Sequence, residues 1–527
     1  MTAQQPQSSS GLFSSWDVLL AIIVGVLSMA LYTRTLAPWV LPADSGEFQV
    51  LVYQVGIAHT TGYPVYMLLG KLFITLVPVG DVAYRVNLFS AFAGALAVAG
   101  AYLCAKLLSK SHWASLVSAL ALTVSYTLWS QSIIAEVYTP GAAFLVAVWL
   151  ALLVWYQSGS RWALFALGVC GGLGLGVHGN LAIVAPAIVI FLLLNWKRWK
   201  EWWKPVLLGA VVGTVAFLIA YFIVDLNAPR ANIFDAAYGP ARSAWGLAEV
   251  DIKNPVARAV FILSARQWRG RMFDNPSKYM SANLFGYVTR LPREFTLLML
   301  GLVVLGLIVL FIRDWRAGIL FVVALVMHWV VYFNFRVGDQ YVFFIPSYVW
   351  MAMLAAVGMG GLARLIGRMP GRAVQMIASL IVMLAILYEG VAPVLAPYWS
   401  AVQQGKVPFA GQRGYAVHDR TETNYGVASN VVKEMEPNAI LFLGWGVLYQ
   451  YWYAAAIEFE RADLRFIQQN PFHEPSTLAQ STIEFIRANI DTHPIYLAAR
   501  QREVEQAGFK LRAVTVSQAR LYKVEKP

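Results

Sequence analysis

The sequence predicts an all-α polytopic membrane protein with about eleven transmembrane helices, followed by a small C-terminal α/β domain. The chain is 59% hydrophobic and only 13% charged, with a mean hydropathy of +0.59, whereas a soluble protein is roughly one-quarter charged. Apolar runs of near-spanning length recur up to about residue 393. From about residue 398 the runs become short and alternate with polar residues, a pattern that indicates an α/β domain.

The predicted spans are eleven apolar runs, some of them short enough to be tilted or partly re-entrant. The run at 17–37 has no basic segment before it and no small-residue cleavage site, so we expect a retained span rather than a signal peptide. Residues 1–16 are interpreted as a disordered tail. The other runs cover residues 87–108, 112–130, 139–157, 162–177, 180–196, 204–224, 295–313, 317–335, 341–360 and 373–393.

The charges of the short connecting loops predict the orientation. One set of loops is rich in Lys and Arg, whereas the other set, around 131–138, 177–180 and 335–340, contains Arg336 as its one basic residue. By the positive-inside rule the basic set is cytoplasmic. The N-terminus is then inside and, with an odd number of spans, the C-terminus is outside. The net charge of +12 is better explained by this rule than by nucleic-acid binding.

The predicted domains are a transmembrane domain at 17–397 and an extracytoplasmic α/β domain at 398–527. Two long outer loops, 38–86 and 225–294, interrupt the transmembrane domain. The first contains YPVYMLLGKLFITLV, which we interpret as a helix along the membrane interface, and the second is expected to form amphipathic helices. Because the chain has no usable N-x-S/T sequon, we expect a multi-pass protein of a bacterial plasma membrane.

The cysteine content limits the metal and redox chemistry of the chain. Cys104 and Cys170 both fall inside apolar runs, which excludes a disulfide framework and a Cys-rich metal site. A DxD metal motif is also missing, because Asp44 is followed by Ser45 and Gly46. We therefore predict no cofactor and no obligatory metal.

The polar motifs all fall on the predicted outer side. Charged groups at a membrane edge are costly unless they are paired or functional. Their convergence therefore favours a single catalytic or binding site at the outer membrane boundary. The candidate residues are Asp44, Glu47, His59 and Tyr63 in the first outer loop, and Glu136, Tyr138, His178, Asn180, Arg336, Asp339, Gln340 and Tyr341 in the outer turns.

Each candidate also has a purely structural interpretation. Asp44 and Glu47 have the spacing of a helix capping box, in which both side chains bond to the backbone. A turn would explain His59 and the sequence His178-Gly179-Asn180. A helix cap would explain Glu136 and Asp339, and snorkelling of a long side chain to the lipid headgroups would explain Arg336.

Six motifs, in order over about residues 17–360, resemble the DUF2723 family, which includes the transmembrane protein 260 type of protein O-mannosyltransferase within the GT-C glycosyltransferase fold. They are DSGEF, GIAHTTGYP, RVNLFSA, QSIIAEVY, GLGLGVHGN and DQYVFFIPSY. NAILFLGWGVLYQYWY is similar to the family's C-terminal region, although the family more often has Asp at the position of Trp445. The resemblance implies a GT-C-like fold, a polyprenyl-phosphate hexose donor, a protein or glycan acceptor, and Asp44 as the catalytic base.

The residue chemistry agrees with what the resemblance implies. An acceptor hydroxyl must lose a proton as it attacks the anomeric carbon, and a carboxylate can accept that proton. Glu47, one helical turn from Asp44, is expected to orient it or to bind the acceptor. Direct attack with one base predicts inversion of configuration. Candidates for binding the leaving phosphate are Arg336, His178 and the cluster Arg266, Arg269 and Arg271.

Two other functions remain open. A secondary transporter would need ionisable residues near the bilayer midplane and matched halves, whereas His328 is nearly alone inside a predicted span. A non-catalytic lipid-binding or assembly subunit would keep the fold without the carboxylates. The presence of Asp44, Glu47 and Glu136 favours the enzyme. Its expected partners are the lipid-linked donor, the acceptor and the bilayer, with no nucleic acid.

Overall fold

The structure is a computed structural model, and it describes residues 11–390, 399–400, 403, 422–471 and 477–526. Helices occupy most of the part before residue 390, as the composition predicts. They are α1 Ser15–Arg34, α2 Ala43–Gln54, α3 Pro64–Leu76, α4 Val82–Ser109, α5 His112–Thr123, α6 Tyr126–Ser132, α7 Tyr138–Ser158, α8 Arg161–Leu175, α9 Asn180–Leu194, α10 Trp199–Asn227, α11 Glu249–Lys253, α12 Pro255–Leu263, α13 Pro276–Glu294, α14 Leu297–Arg313, α15 Trp315–Phe333, α16 Ile345–Ile366 and α17 Arg372–Gly390.

Every predicted apolar run contains a helix. Among the described residues, six helices are long and apolar enough to cross a membrane, or seven if α13 and α14, bent by 107°, form one span. The six are α1, α4, α7, α10, α15 and α16, some of them with an adjoining helical turn. The remaining runs correspond to shorter apolar helices, α5, α8, α9 and part of α17. The integral membrane class is therefore confirmed, and the count of eleven spans stays a prediction.

A local break divides one of the predicted runs into two shorter helices. The run at 112–130 divides between α5 and α6, at Val124 and Ser125. The predicted interfacial segment forms α3, which begins at Pro64, where a missing backbone N–H is tolerated. Residues 1–10 of the predicted tail lie outside the described residues, and α1 begins at Ser15 with Ser14 as its N-cap.

Glycines bring α8 and α10 into direct backbone contact. Gly168 and Gly172 of α8 face Gly209 and Gly213 of α10, and a β-carbon at any of the four would overlap the backbone of the other helix. Small residues at such spacing let membrane helices approach closely enough for extensive van der Waals contact. The four glycines therefore allow α8 and α10 to pack against each other along their backbones.

The C-terminal part is a small α/β domain, as predicted. Its strands are β1 Ile440–Leu443, β2 Arg465–Gln468, β3 Ile495–Leu497, β4 Lys510–Val516 and β5 Ala519–Glu525. The sheet has the order β2-β1-β3-β5-β4, in which β1 pairs in parallel with β2 and β3. The C-terminal hairpin of β4 and β5 extends the sheet in antiparallel fashion through β3. The helices of this part are α18 Glu422–Glu434, α19 Trp445–Tyr453, α20 Gln480–Asn489 and α21 Arg502–Gln506.

Hydrogen bonds dock this domain on both loops that the sequence predicts to be outer. The Tyr449 hydroxyl donates to the carbonyl of Ala231 at 3.0 Å, and the Ala83 N–H donates to the Tyr453 hydroxyl at 3.1 Å. Arg230 donates from Nη1 to the Ala462 carbonyl at 2.6 Å. The sheet domain therefore lies on the same side of the helical part as α2, which carries the DSGEF motif.

Candidate active site

Helix α2 presents the acidic residues of the first outer loop. It begins at Ala43, after the N-cap Pro42, and no side chain caps it. The capping-box interpretation of Asp44 and Glu47 is therefore not what the structure shows. A β-carbon at Gly46 would overlap the carbonyl oxygen of Leu41 and touch Tyr449. Glycine at this position lets both the incoming chain and the C-terminal domain approach α2 closely.

Glu47 and His59 form a buried pair. One Glu47 oxygen accepts from the His59 backbone N–H at 2.8 Å, and the other lies 2.5 Å from His59 Nδ1. Burial raises the pKa of Glu47, and the charge of His59 offsets part of that rise. Burial lowers the pKa of His59, but the carboxylates of Glu47 and Asp44 outweigh it and raise this pKa to about 9. His59 is therefore largely protonated at neutral pH and held by a charge-assisted hydrogen bond.

Of the two acidic side chains of α2, that of Asp44 is the one that a substrate can reach. Its side chain is 36% exposed, whereas that of Glu47 is 0% exposed. Asp44 Oδ2 lies 3.8 Å from His59 Nε2, and Asp44 Oδ1 accepts from the indole N–H of Trp445 at 2.7 Å. The two carboxylates that the sequence groups together thus have different surroundings: Asp44 is open, and Glu47 holds His59.

Tyr63 and His178 form an aromatic wall beside this pair. The Tyr63 hydroxyl lies 3.3 Å from His59 Nε2 and donates to the Thr60 carbonyl at 3.1 Å. The rings of Tyr63 and Tyr138 lie 6.4 Å and 5.2 Å from that of His178. Burial, assisted by the charge of His59, lowers the pKa of His178 to about 4. His178 is then a neutral ring at pH 7 and offers hydrogen bonds rather than positive charge.

Glu136 is tied directly to the DSGEF helix. Its Oε1 accepts from the Ser45 hydroxyl at 3.0 Å. The Ser90 hydroxyl of α4 donates to the Glu136 carbonyl at 3.2 Å and accepts from the Glu136 N–H at 3.1 Å. The N-cap of α7 is Val137, and no side chain caps that helix. Glu136 therefore stands one residue before the N-cap of α7, and its side chain joins α2 to the turn before that helix.

A chain of hydrogen bonds extends from His178 away from Asp44. The Asn180 N–H donates to His178 Nδ1 at 3.2 Å. The Asn180 side-chain oxygen accepts from the Tyr332 hydroxyl, and the Gln340 amide donates to the Tyr332 carbonyl. Asn180 and Gln340 are thereby brought into one network with the site.

Asp339 and Tyr341 flank the site on the side of α13 and α16. Asp339 precedes the helical turn Gln340–Phe344, and the Val342 N–H donates to the Asp339 carbonyl at 3.1 Å. Tyr341 packs under the guanidinium of Arg290, whose carbon lies 4.6 Å from the ring centroid. The Asp339 side chain makes no cap for the helical turn that follows it. The capping interpretation of Asp339 is therefore not observed.

Arg336 lies beside the basic stretch of the second outer loop. Its Nε is 3.3 Å from Asp274 Oδ2, and its backbone N–H donates to the Arg271 carbonyl at 2.9 Å. The indole N–H of Trp268 donates to the Thr60 carbonyl at 3.3 Å. The helical turn Arg266–Arg271 is thus connected to the loop that carries His59, and Arg336 is adjacent to it. The two groups of basic candidates form a single edge of the site.

Several site residues were not predicted from the sequence. Trp445 comes from the C-terminal domain, Ser45 links Asp44's helix to Glu136, and Arg290 covers Tyr341. The position of Trp445 did carry a signal, because it departs from the residue that the resembled family more often has. Within the described residues, no three His, Cys, Asp or Glu side chains are grouped as a metal site.

Comparison with solved structures defines the class of fold. The chain is similar to ArnT from Cupriavidus metallidurans in the apo state, with a TM-score of 0.59 and 12% identity over 96% of this chain and 97% of that one. The crystal structure of the same protein bound to undecaprenyl phosphate gives a TM-score of 0.56, with 12% identity over 97% of this chain and 98% of that one. The described architecture is therefore the GT-C fold of membrane glycosyltransferases.

Comparison of sequences identifies the family resemblance. Residues 44–203 match the model of the Protein O-mannosyl-transferase TMEM260 N-terminal domain. The mouse Protein O-mannosyl-transferase TMEM260 is 29% identical over 246 residues, and its Dictyostelium discoideum counterpart is 25% identical over 260. Each match covers 46% of this chain but only 34% and 31% of those relatives. The resemblance predicted from the motifs is confirmed, and the matched region begins at Asp44.

Proposed function

We propose that this chain is a membrane glycosyltransferase that moves a hexose from a polyprenyl-phosphate donor to an acceptor hydroxyl, with inversion at the anomeric carbon. The observation that carries the proposal is the open carboxylate of Asp44 beside the buried Glu47–His59 pair. The GT-C fold and the names of the two relatives support the same reaction class. Mannose is the sugar that those names suggest.

In the proposed step, Asp44 acts as the general base. The acceptor oxygen forms a bond to the anomeric carbon while the bond from that carbon to the donor phosphate oxygen breaks. The acceptor proton passes to Asp44, and polyprenyl phosphate leaves with the bonding electrons. Because a single direct displacement occurs, the configuration is inverted. Glu47 orients His59, and His59 supplies positive charge close to Asp44.

The leaving phosphate needs positive charge that does not depend on pH. His178 is neutral at pH 7, so the proposal assigns this role to Arg336 and the adjacent Arg271. A guanidinium can bind a phosphate through two parallel hydrogen bonds. The ArnT crystal structure contains undecaprenyl phosphate, which supports a polyprenyl-phosphate donor for a chain of this fold. The lipid tail would occupy an apolar groove between the helices.

Replacement of Arg336 tests the phosphate site. Arg336→Lys keeps the charge but loses the planar fork, so we expect the donor KM to rise about tenfold or more. Arg85→Lys is the matched control, because Arg85 bonds the carbonyls of Asp81 and Ile74 instead. An unchanged donor KM in both Arg336→Lys and Arg336→Ala would remove Arg336 from the site and leave the Arg266–Arg271 turn.

The orientation is proposed from the loop charges, with the site and the C-terminal domain on the extracytoplasmic face of a bacterial plasma membrane. In this arrangement the acceptor is a protein or glycan hydroxyl on that face. The proposal is tested by incubating membranes that contain the chain with a radiolabelled polyprenyl-phosphate mannose and analysing the labelled products. We expect labelled acceptor only when the chain is present. Donor binding without transfer would favour a lipid-binding subunit, and movement of intact donor would favour a transporter.

A further inference from the structure

Trp445 brings the C-terminal domain into contact with the proposed base. It is the first residue of α19, and its indole N–H donates to Asp44 Oδ1 at 2.7 Å. Its ring lies edge-on to His59, with the centroids 5.9 Å apart. A side chain from the sheet domain thus occupies the space next to both proton-carrying groups of the site.

The docking of α19 fixes the position of this indole. Tyr449, one turn further along α19, is buried and bonds to Ala231, while the Tyr453 hydroxyl accepts from Ala83. The Trp445 ring also packs edge-on against Tyr449, with centroids 5.5 Å apart. The donor of the Trp445–Asp44 hydrogen bond is therefore carried by a helix that is docked on both outer loops.

We propose that Trp445 is a positioning residue for the reaction, and that the C-terminal domain completes the active site through it. The indole N–H holds Oδ1 of Asp44, so that Oδ2 is the oxygen that accepts the acceptor proton. A carboxylate on the first turn of a helix can otherwise rotate, and misplacement of a reacting group slows the reaction. This inference rests on the proposed function, because it assigns a role relative to Asp44 as the base.

The test compares two identical substitutions in one helix. Trp445→Phe keeps an aromatic ring and removes the N–H, whereas Trp452→Phe removes an indole N–H that donates to the Phe466 carbonyl at 3.1 Å, away from Asp44. We expect Trp445→Phe to lower kcat about 10- to 100-fold and to change the acceptor KM by less than about threefold. Trp452→Phe should retain kcat within about threefold.

The effect of Trp445→Phe in a chain that already carries Asp44→Asn gives a second readout. A purely structural role of Trp445 would not produce the expected result. In an Asp44→Asn background, Trp445→Phe should have no further effect on the residual rate, because both changes act on one proton transfer. Incorporation of benzothienylalanine at position 445 provides a second variant, because it keeps the shape of the indole and replaces its N–H with sulfur. It should give the same loss of kcat at an unchanged melting temperature.

The outcomes separate the inference from the proposed function. If the unmodified chain transfers no sugar, the proposed function fails, and the role of Trp445 fails with it. If the unmodified chain is active but the benzothienylalanine chain or a folded Trp445→Phe chain matches Trp452→Phe in kcat, only the inference about Trp445 is overturned. If the two changes at Trp445 and Asp44 are additive, Trp445 acts independently of the base, and the inference is likewise overturned.

Discussion

Asp44 and Glu47 lie three positions apart in α2 and have opposite surroundings. Asp44 is 36% exposed and bonds to an indole N–H, whereas Glu47 is 0% exposed and bonds twice to His59. Environment of this kind can give two carboxylates of one site two different roles. The arrangement assigns substrate contact to Asp44 and makes Glu47 a positioning residue for the histidine.

The protonated state of His59 predicts a dependence of stability on pH. The folded-state pKa of about 9 lies above the ordinary value of 6.5, so protonated His59 stabilises the fold. This contribution is complete below about pH 6.5 and is lost as the pH rises through about 9. We expect the melting temperature of the detergent-solubilised protein to fall between pH 7 and 10, and the fall to be smaller in His59→Gln.

The control for this prediction is His493→Gln, which changes a histidine whose ring contacts Thr492 in the sheet domain. That variant should retain the pH dependence of the unmodified chain. Parallel curves for the unmodified protein and His59→Gln would show that the Glu47–His59 pair is not the source.

For single residues, the sequence predicted which side chains belong to the site, but it did not predict most of their contacts. The costs of charge at a membrane edge indicated Asp44, Glu47 and His59 as one group, and the structure brings them together. The sequence does not indicate which carboxylate is buried, because that depends on how α2 packs against the C-terminal domain. Trp445 lies 401 residues from Asp44, and no local pattern connects two residues at that separation.

The positions of the helices along the chain were predictable from its apolar runs, but the lengths of the helices were not. Hydrophobicity indicates which residues avoid water, whereas the ends of α5 and α14 depend on local breaks. Thr127 illustrates such a break: its N–H donates to the buried Glu294 carboxylate at 3.0 Å, at the bend between α13 and α14. A polar contact between distant segments of this kind cannot be inferred from hydropathy alone.

The close contact between α8 and α10 at their glycines can be tested by adding a methyl group to one of these residues. Gly168→Ala in α8 should lower the free energy of unfolding by about 1–3 kcal/mol, because its β-carbon would overlap the backbone of α10 near Val206 and Ala210. Gly171→Ala, in the same helix, is the control, since its β-carbon would meet no atom within 4 Å. Thermal unfolding of the two detergent-solubilised variants measures the difference. Equal stabilities would contradict the close α8–α10 contact.

In the whole molecule, the C-terminal domain contacts the loops that the charge pattern places outside. Ser481 donates to the Pro240 carbonyl at 2.9 Å, and Arg242 forms an ion pair with Glu484 at 2.8 Å. These contacts agree with the proposal that the sheet domain and the site share one face of the membrane. The domain boundary near residue 398 remains a prediction, because it falls among residues that the structure does not describe.

The proposed orientation is tested with topology reporters. A reporter fused after residue 200 follows the basic residues Lys197, Arg198 and Lys200 at the start of α10, so we expect it to report the cytoplasm. A reporter at the C-terminus should report the opposite side. If both reporters gave the same side, the shared outer location of the site and the C-terminal domain would be wrong.

The role of Asp44 as the base is tested most directly by the kcat of Asp44→Asn, measured beside Asp81→Asn. Asp81 caps α4 through the Tyr84 N–H at 2.7 Å, and Asn caps a helix about as well as Asp does. Asn at position 44 keeps the shape of the side chain but cannot accept the proton. We predict that kcat falls by roughly 10²–10⁴-fold in Asp44→Asn and stays near normal in Asp81→Asn, with donor binding retained in both. Near-normal turnover in Asp44→Asn would contradict the assignment of Asp44 as the base.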